Sequence, residues 1–292
     1  MTNENKGMLL GMLAITAFGL TLPATKIALR HLDPVFIGLG RAVLAAIFAA
    51  ILLVWFKQNL PSKTQLVQLI LVALGVVVGF PVLSSWAMIY VPASHGGVVF
   101  GVLPLATALV SVFIGHEKPS LSFWLVSLFG GGLVISYALI QGAGSFHVAD
   151  LALLGAIISA AVGYAVGARL SLYLGGWQVI CWALVLALPF IFLPTIYYAP
   201  DSFSTLPVST YISFLYLALI SQLFAFFAWY KGLAMGGIAR VSQAQLLQPF
   251  ITVVASALLL NEIIELHTIA FIILVAGSVW LSKKMPVTRQ KT

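Results

Sequence analysis

The stretch LLQPFITVVASALLLNE, residues 246–262, places a proline and an amide inside a run that is otherwise as apolar as a membrane helix. A second stretch, GVLPLATALVSVFIGHE at residues 101–117, lines up with it at an offset of 145 residues. Four identities carry the alignment: Pro104 falls on Pro249, Thr107 on Thr252, Ser111 on Ser256 and Glu117 on Glu262. Because proline removes a helical hydrogen bond, the chain is predicted to repeat one proline-interrupted helix in two copies.

The composition predicts an integral membrane protein made of helices. Of the 292 residues, 62% are hydrophobic and only 7% are charged, whereas soluble domains carry roughly 25% charged residues. The apolar runs are long and unbroken, unlike the short alternating strands of a membrane barrel. The net charge of +7 is interpreted as topology and lipid contact rather than nucleic-acid binding. Cys181 is the only cysteine, so no intrachain disulfide is possible.

Ten apolar spans with short connections are expected. They lie at about 7–29, 34–56, 66–90, 93–114, 120–140, 150–173, 175–198, 208–230, 237–259 and 265–282. The first contains Lys26 and is followed by no small-residue cleavage site, so it is interpreted as a retained helix. Ten spans leave both termini on one side, which collects 11 of the 14 basic residues. We therefore expect a multi-pass membrane protein with both termini in the cytoplasm.

The repeat and the span count together predict an inverted architecture. Residues 1–145 and 146–292 each hold five spans, and five is odd, so the second half must enter the membrane upside down relative to the first. Inverted repeats with a site near the membrane midplane are a recurrent plan of secondary transporters.

The sequence resembles the EamA-type members of the drug/metabolite transporter superfamily along its whole length. The resemblance rests on the two halves of five spans, the proline–glutamate spacing in spans four and nine, Arg41 in span two, and glycines 130–132 in span five. It implies an all-α fold of two inverted five-helix repeats. It also implies a central cavity lined mainly by spans 1, 3, 4, 6, 8 and 9. The length and aromatic content look most like the bacterial exporters of aromatic amino acids. The family often has tryptophan before the glycine of its first helix, whereas this chain has Phe18-Gly19.

Span nine carries a polar stripe. Its members recur at intervals of three and four residues and so share one helix face: Ser242, Gln245, Pro249, Thr252 and Ser256, bordered by Gln248. The stripe is either a substrate-facing surface or a set of helix–helix hydrogen bonds. Pro249 and Pro104 release backbone carbonyls, and matched bends would let the two halves gate in turn.

Aromatic side chains concentrate in the spans expected to line the cavity. The candidate substrate-binding aromatics are Phe18, Phe80, Trp86, Phe100, Tyr164 and Phe226, with polar contacts from Ser84, Ser85, Ser221 and Gln222. Such rings suit stacking on an apolar substrate. Tryptophan and tyrosine near span ends also anchor helices at the membrane interface, so the sequence leaves Trp86 open between the two roles.

Charged residues inside the spans are few. Arg41 and Lys26 either snorkel to the outer surface or form a basic vestibule that attracts a carboxylate substrate towards the exit. His95 is either a helix-end residue or a substrate contact. Glu117 and Glu262 either stabilise helix N-termini or act as paired gate latches on opposite sides.

The sequence has no carboxylate in the middle of a span, which favours transport driven by the substrate gradient. It has no motif for a metal, a serine nucleophile or a phosphate loop, so no cofactor and no metal are expected. These observations favour a secondary transporter that exports amino acids or similar metabolites by alternating access, not an enzyme. Its expected partners are a small-molecule substrate and membrane lipid. The alternatives are an exporter of drugs, nucleotide sugars or lipid carriers on the same fold, an intramembrane enzyme, or a membrane scaffold.

Overall fold

The computed structural model of the chain describes residues 2–91, 95–96, 99–140, 148–260 and 266–289. In chain order its helices are α1 (Asn3–Ala28), α2 (Pro34–Trp55), α3 (Lys63–Tyr90), α4 (Phe100–Phe113), α5 (Leu121–Tyr137), α6 (Val148–Leu174), α7 (Gly176–Tyr197), α8 (Val208–Gly236), α9 (Ile238–Leu259) and α10 (Leu266–Lys284). Within these residues, eight helices are long and apolar enough to cross a membrane, while α4 and α5 are apolar but shorter. The bounds follow the predicted spans closely, as for α2 against a predicted 34–56.

Several helix starts are encoded by local sequence. The Asp33 carboxylate accepts the backbone N–H of Val35 at 2.7 Å, and Pro34 occupies the first helical position of α2, where its missing N–H costs nothing. At α3, Ser62 and Gln65 form a reciprocal capping box. These caps satisfy amides that the first helical turn leaves without a partner.

The helices pack in pairs that join the two halves of the chain. α1 packs against α8, α3 against α6, α2 against α7 and α5 against α10. Two of these contacts depend on glycine. A Cβ added to Gly7 would lie 2.4 Å from the backbone nitrogen of Gly236, and one added to Gly75 would lie 3.0 Å from the Cα of Gly163. Close backbone approach of this kind is how membrane helices gain packing contacts.

Four helices depart from regular α geometry at paired positions. α3 is π-helical over Ala73–Gly79 and α8 over Tyr216–Phe224. α4 opens with a 3₁₀ turn over Phe100–Val102, and α9 has one over Gln243–Leu247. Each member of a pair lies about 145 residues from its counterpart, which is the offset of the sequence repeat.

A short β ribbon departs from the all-α prediction. Residues Glu117–Pro119 (β1) pair antiparallel with Val287–Arg289 (β2). The ribbon ties the connection after α4 to the segment after α10. Single-sequence patterns could not predict it, because three residues give too little alternation to identify a strand.

Candidate functional site

A cavity lies where helices from both halves of the chain meet. Its lining residues come from α1, α2, α3, α4, α6, α8 and α9: Phe18, Thr21, Leu22, Arg41, Phe80, Phe100, Leu103, Tyr164, Ser221, Phe226 and Gln248. No described residue of α5 or α10 is among them. The helices are those that the family resemblance implied, with the addition of α2 through Arg41.

The cavity is nearly closed in this conformation. The centre of a water molecule can occupy only about 20 Å³ of it, which is room for about one water. An amino acid is much larger, so side chains or helices must move before a substrate of that size can enter.

Aromatic residues make up five of the eleven residues of the cavity wall. Phe18 contacts Phe226 edge-on with the ring centroids 5.1 Å apart, and Phe80 lies 5.2 Å from Phe100. Tyr164 completes the wall at 6.0 Å from Phe226. Five of the predicted aromatic residues therefore meet in one place, although they come from five different helices. Offset and edge-on arrangements such as these are the stable ways for rings to contact one another.

Arg41 belongs to the cavity and does not snorkel to the surface. It lines the cavity and is only 2% exposed. Its Nε atom is buried without a hydrogen-bond partner, and the described residues provide the guanidinium with neither a hydrogen bond nor an ion pair. Lys26, the other predicted vestibule residue, is half-buried and lies outside the lining. The cavity therefore has one positive charge in its wall.

Polar groups from the two halves also meet at the cavity. The hydroxyls of Thr21 and Ser221 share a hydrogen bond of 2.9 Å between α1 and α8. Gln248, at the edge of the predicted stripe of α9, lines the cavity, whereas Gln245 does not. Both side-chain polar atoms of Gln245, and both of its neighbour Gln243, are buried without a hydrogen-bond partner in the described part of the chain.

Other candidate polar residues are bonded to the backbone. The Gln222 amide donates to the Val76 carbonyl at 3.1 Å and joins the π-helical segments of α8 and α3. The Ser242 hydroxyl bonds to the Ala239 carbonyl at 2.9 Å. The Ser84 hydroxyl donates to the Pro81 carbonyl at 3.2 Å. All three lie away from the cavity lining.

The prolines of α4 and α9 sit at equivalent breaks. Each is the second residue of the α-helical part that follows a 3₁₀ turn. Proline at 249 cannot bond the carbonyl of Gln245, and proline at 104 cannot bond that of Phe100. In both cases the residue just before the proline bonds that carbonyl instead. The backbone N–H of Gln248 donates to the carbonyl of Gln245, and the backbone N–H of Leu103 donates to the carbonyl of Phe100. The carbonyls that the sequence analysis expected to be free are therefore satisfied locally.

Glu117 caps α9, not the helix that follows it in sequence. Its two carboxylate oxygens accept the backbone N–H groups of Ile238 at 2.9 Å and Ala239 at 2.7 Å. The residue before α9 is Gly237, whose φ of +99° suits glycine and which has no side chain for capping. A carboxylate from the connection after α4 supplies the cap instead. Glu262, its predicted counterpart, lies outside the described residues.

His95 forms a partly buried pair with Asp150 that the sequence analysis missed. Its Nε2 atom lies 2.7 Å from Oδ1 of Asp150, and the two side chains are 14% and 12% exposed. Asp150 sits in the first turn of α6, where it looked like a boundary residue in the sequence. The ring of Trp86 contacts that of Tyr90 at a tilt of 58°, with the centroids 4.9 Å apart, on the same part of α3 and outside the cavity lining.

Three lining residues were not predicted. Thr21 and Leu22 belong to the second part of α1, after the helix is interrupted near Leu20. Leu103 of α4 is the counterpart of Gln248 at the 145-residue offset, and both line the cavity. The repeat could have identified Leu103, whereas apolar side chains such as Leu22 have no sequence signal that separates lining from packing.

Comparison with known proteins identifies the family. The profile of the EamA-like transporter family matches residues 5–138 and again 147–283. The chain is 44% identical over 262 residues to the uncharacterized transporter YdeK of Bacillus subtilis (strain 168), which covers 90% of this chain and 91% of that protein. It is 26% identical over 271 residues to an uncharacterized transporter of Archaeoglobus fulgidus, covering 88% and 91% of the two chains.

A solved crystal structure of a protein with 16% sequence identity superimposes with a TM-score of 0.76, over 95% of this chain and 98% of that one. At this identity the likeness concerns the fold alone. The family and both named relatives are transporters, not enzymes. Two profile matches that together cover most of the chain, and a relative at 44% identity, show that this protein belongs to the EamA-like transporter family.

Proposed function

We propose that this protein exports amino acids, aromatic ones included, or similar small metabolites across the bacterial inner membrane by alternating access. The observation that carries the proposal is the central cavity, which is walled by helices of both halves and closed around about 20 Å³. A carrier that opens to one side at a time requires such a site between its moving parts.

The proposal includes two inverted repeats, residues 1–145 and 146–292, that cross the membrane ten times. The helix pairs support it. The repeat makes α1 equivalent to α6 and α3 equivalent to α8, so the α1–α8 contact and the α3–α6 contact are equivalent. The same equivalence maps the α2–α7 and α5–α10 contacts onto themselves. The paired π-helical segments and the paired 3₁₀ turns support the same symmetry. With 11 of 14 basic residues on the side of the termini, both termini are placed in the cytoplasm.

Glu117 is proposed as the cytoplasmic latch. It reaches from the first half to the start of α9 in the second half, and its two bonds hold that helix end in place. Arg240 adds a second connection at the same end, because it lies 2.5 Å from Glu4 of α1 and donates to the Met285 carbonyl at 3.2 Å. Pro104 and Pro249 then supply the bends about which α4 and α9 move.

A cysteine in the cavity tests the transport path. In a Cys181→Ala background, Ser221→Cys adds a near-isosteric thiol to the lining, and Ile220→Cys adds one to the adjacent position, which is 39% exposed. Reaction with a membrane-permeant maleimide should abolish amino-acid counterflow in proteoliposomes for the cysteine at 221. The same label at 220 should leave counterflow intact. Full transport by the labelled 221 variant would place the path elsewhere.

A further inference from the structure

Arg41 is a buried cation whose guanidinium has no partner in the described part of the protein. Moving an ionised group out of water costs several kcal/mol unless an opposite charge or hydrogen bonds compensate. Charged side chains within membrane spans are accordingly rare and usually face a cavity or a partner. Arg41 faces the cavity at 2% exposure, so the cavity is the space from which a partner outside the described residues can reach it.

The carboxylates in the described part of the chain do not supply that partner. The chain has seven acidic residues, and the structure describes five of them. Each of the five lies elsewhere: Glu4 pairs with Arg240, Asp33 caps α2, Glu117 caps α9, Asp150 pairs with His95, and Asp201 lies in the connection between α7 and α8. No described carboxylate lines the cavity, so its wall carries a positive charge and no negative one.

The described wall offers an ammonium group no opposite charge. Aromatic faces attract cations, but a cation beside the rings of Phe80 or Tyr164 would also share the cavity with Arg41. Two like charges a few ångströms apart in a water-poor site repel strongly. The neutral hydrogen-bonding groups, Thr21, Ser221 and Gln248, can contact either charge and do not reverse this preference.

We propose that the cavity takes a small organic monocarboxylate with an aromatic or apolar body, that Arg41 binds the carboxylate, and that the ammonium group of an amino acid adds nothing to binding. The planar guanidinium fork matches a carboxylate in two parallel hydrogen bonds. The aromatic wall then packs against the body of the substrate. The proposal rests on the proposed transport function, because it names the substrate class of the same cavity.

A structural role for Arg41 makes the opposite prediction about stability. If the guanidinium held helices together, its removal would leave buried partners unsatisfied and lower the melting temperature. If it awaits a substrate, Arg41→Gln removes an uncompensated buried charge, and the empty variant should melt at the same temperature or higher.

Three compounds with one phenyl body test the wild-type protein. 3-Phenylpropanoate has a carboxylate only, phenylalanine has both charges, and phenethylamine has an ammonium group only. Binding is measured by the shift in melting temperature of the detergent-purified protein, at a pH well above the pKa of a carboxylic acid. We expect 3-phenylpropanoate to bind at least as tightly as phenylalanine, and phenethylamine not to bind.

Arg41→Gln, Arg41→Lys and the control Lys26→Gln complete the test. Losing charge-assisted hydrogen bonds should weaken 3-phenylpropanoate binding by about 10- to 100-fold in Arg41→Gln. The loss should be smaller in Arg41→Lys, which keeps the charge without the fork. Lys26→Gln makes the same change of charge outside the cavity lining and should alter the affinity by less than about threefold.

The outcomes separate this proposal from the transport function. Tighter binding of phenethylamine than of 3-phenylpropanoate, unchanged affinity in Arg41→Gln, or no binding of either carboxylate would overturn the proposal. The expected binding pattern without flux of 3-phenylpropanoate in proteoliposomes would uphold the site and refute the transport function instead. Flux of phenylalanine that is insensitive to Arg41→Gln would uphold the transport function and refute the role of Arg41 in binding.

Discussion

Replacing Glu117 should release the N-terminal end of α9. The carboxylate makes two hydrogen bonds of 2.9 and 2.7 Å to backbone amides and is 3% exposed. A hydrogen bond to a charged group contributes about 1.5–3 kcal/mol. Because one carboxylate makes both bonds, we take about 3 kcal/mol for the pair, which corresponds to a factor of about 150 in an equilibrium constant.

Two substitutions at this position give graded predictions. Glu117→Ala removes both bonds, so the amides of Ile238 and Ala239 should exchange hydrogen up to about 150-fold faster. Glu117→Gln keeps one acceptor oxygen, so about half of the free energy and an increase of about tenfold are expected. Hydrogen-exchange mass spectrometry of the detergent-solubilised protein measures both rates.

Glu4→Gln is the matched control. It also removes one negative charge at this end of the protein, but Glu4 is 59% exposed and its pair with Arg240 should contribute no more than about 1 kcal/mol. Its effect on exchange should therefore be small. Unchanged exchange at Ile238 and Ala239 in Glu117→Ala would refute the capping argument. Faster exchange with a normal transport rate would keep the cap but refute the latch.

Three further predictions concern topology, coupling and the polar stripe. A cysteine at Ser145 in a cysteine-free background should react with an impermeant reagent outside intact cells, and labelling only after lysis would reverse the orientation. Transport should follow the substrate gradient, so a proton gradient alone should drive little accumulation in liposomes; robust accumulation would make the partly buried His95–Asp150 pair the first site to test. Gln245→Leu removes an amide that lacks a described partner and lies outside the cavity lining, so the melting temperature should hold or rise and transport should persist; a loss of transport at an unchanged melting temperature would bring Gln245 into the substrate path. Pro249→Ala should restore a regular helix and slow exchange between the two open states, leaving substrate binding largely intact.

The helices could be predicted from the sequence because long apolar runs and local caps determine them. α2 begins at Pro34, where Asp33 supplies the cap and proline the first position. The alignment of residues 101–117 with 246–262 also pointed to the paired breaks at Pro104 and Pro249. These features depend on residues close together in the chain, so a single sequence contains their signal.

The site depends on contacts between distant residues, and single-sequence reasoning could not settle it. Arg41 lies seven residues into α2, a depth at which snorkelling and burial are both feasible, and only packing decides between them. Asp150 looked like a helix-end residue until the fold brought it to His95. The sequence left Glu117 open between a helix cap and a gate latch, and it could not show that the capped helix is α9, because Ile238 is 121 residues away in sequence.

Alternating access requires that the cavity can be reached from each side of the membrane in turn. The measurement is labelling of Ser221→Cys, in the Cys181→Ala background, by an impermeant thiol reagent added either outside or inside sealed membranes. The hydroxyl of Ser221 is buried in the closed structure and bonded to Thr21, so labelling reports opening. Alternating access predicts reaction from each side, with rates that change in opposite directions when Glu117→Ala weakens the cytoplasmic latch. Reaction from one side only, under every condition, would contradict it.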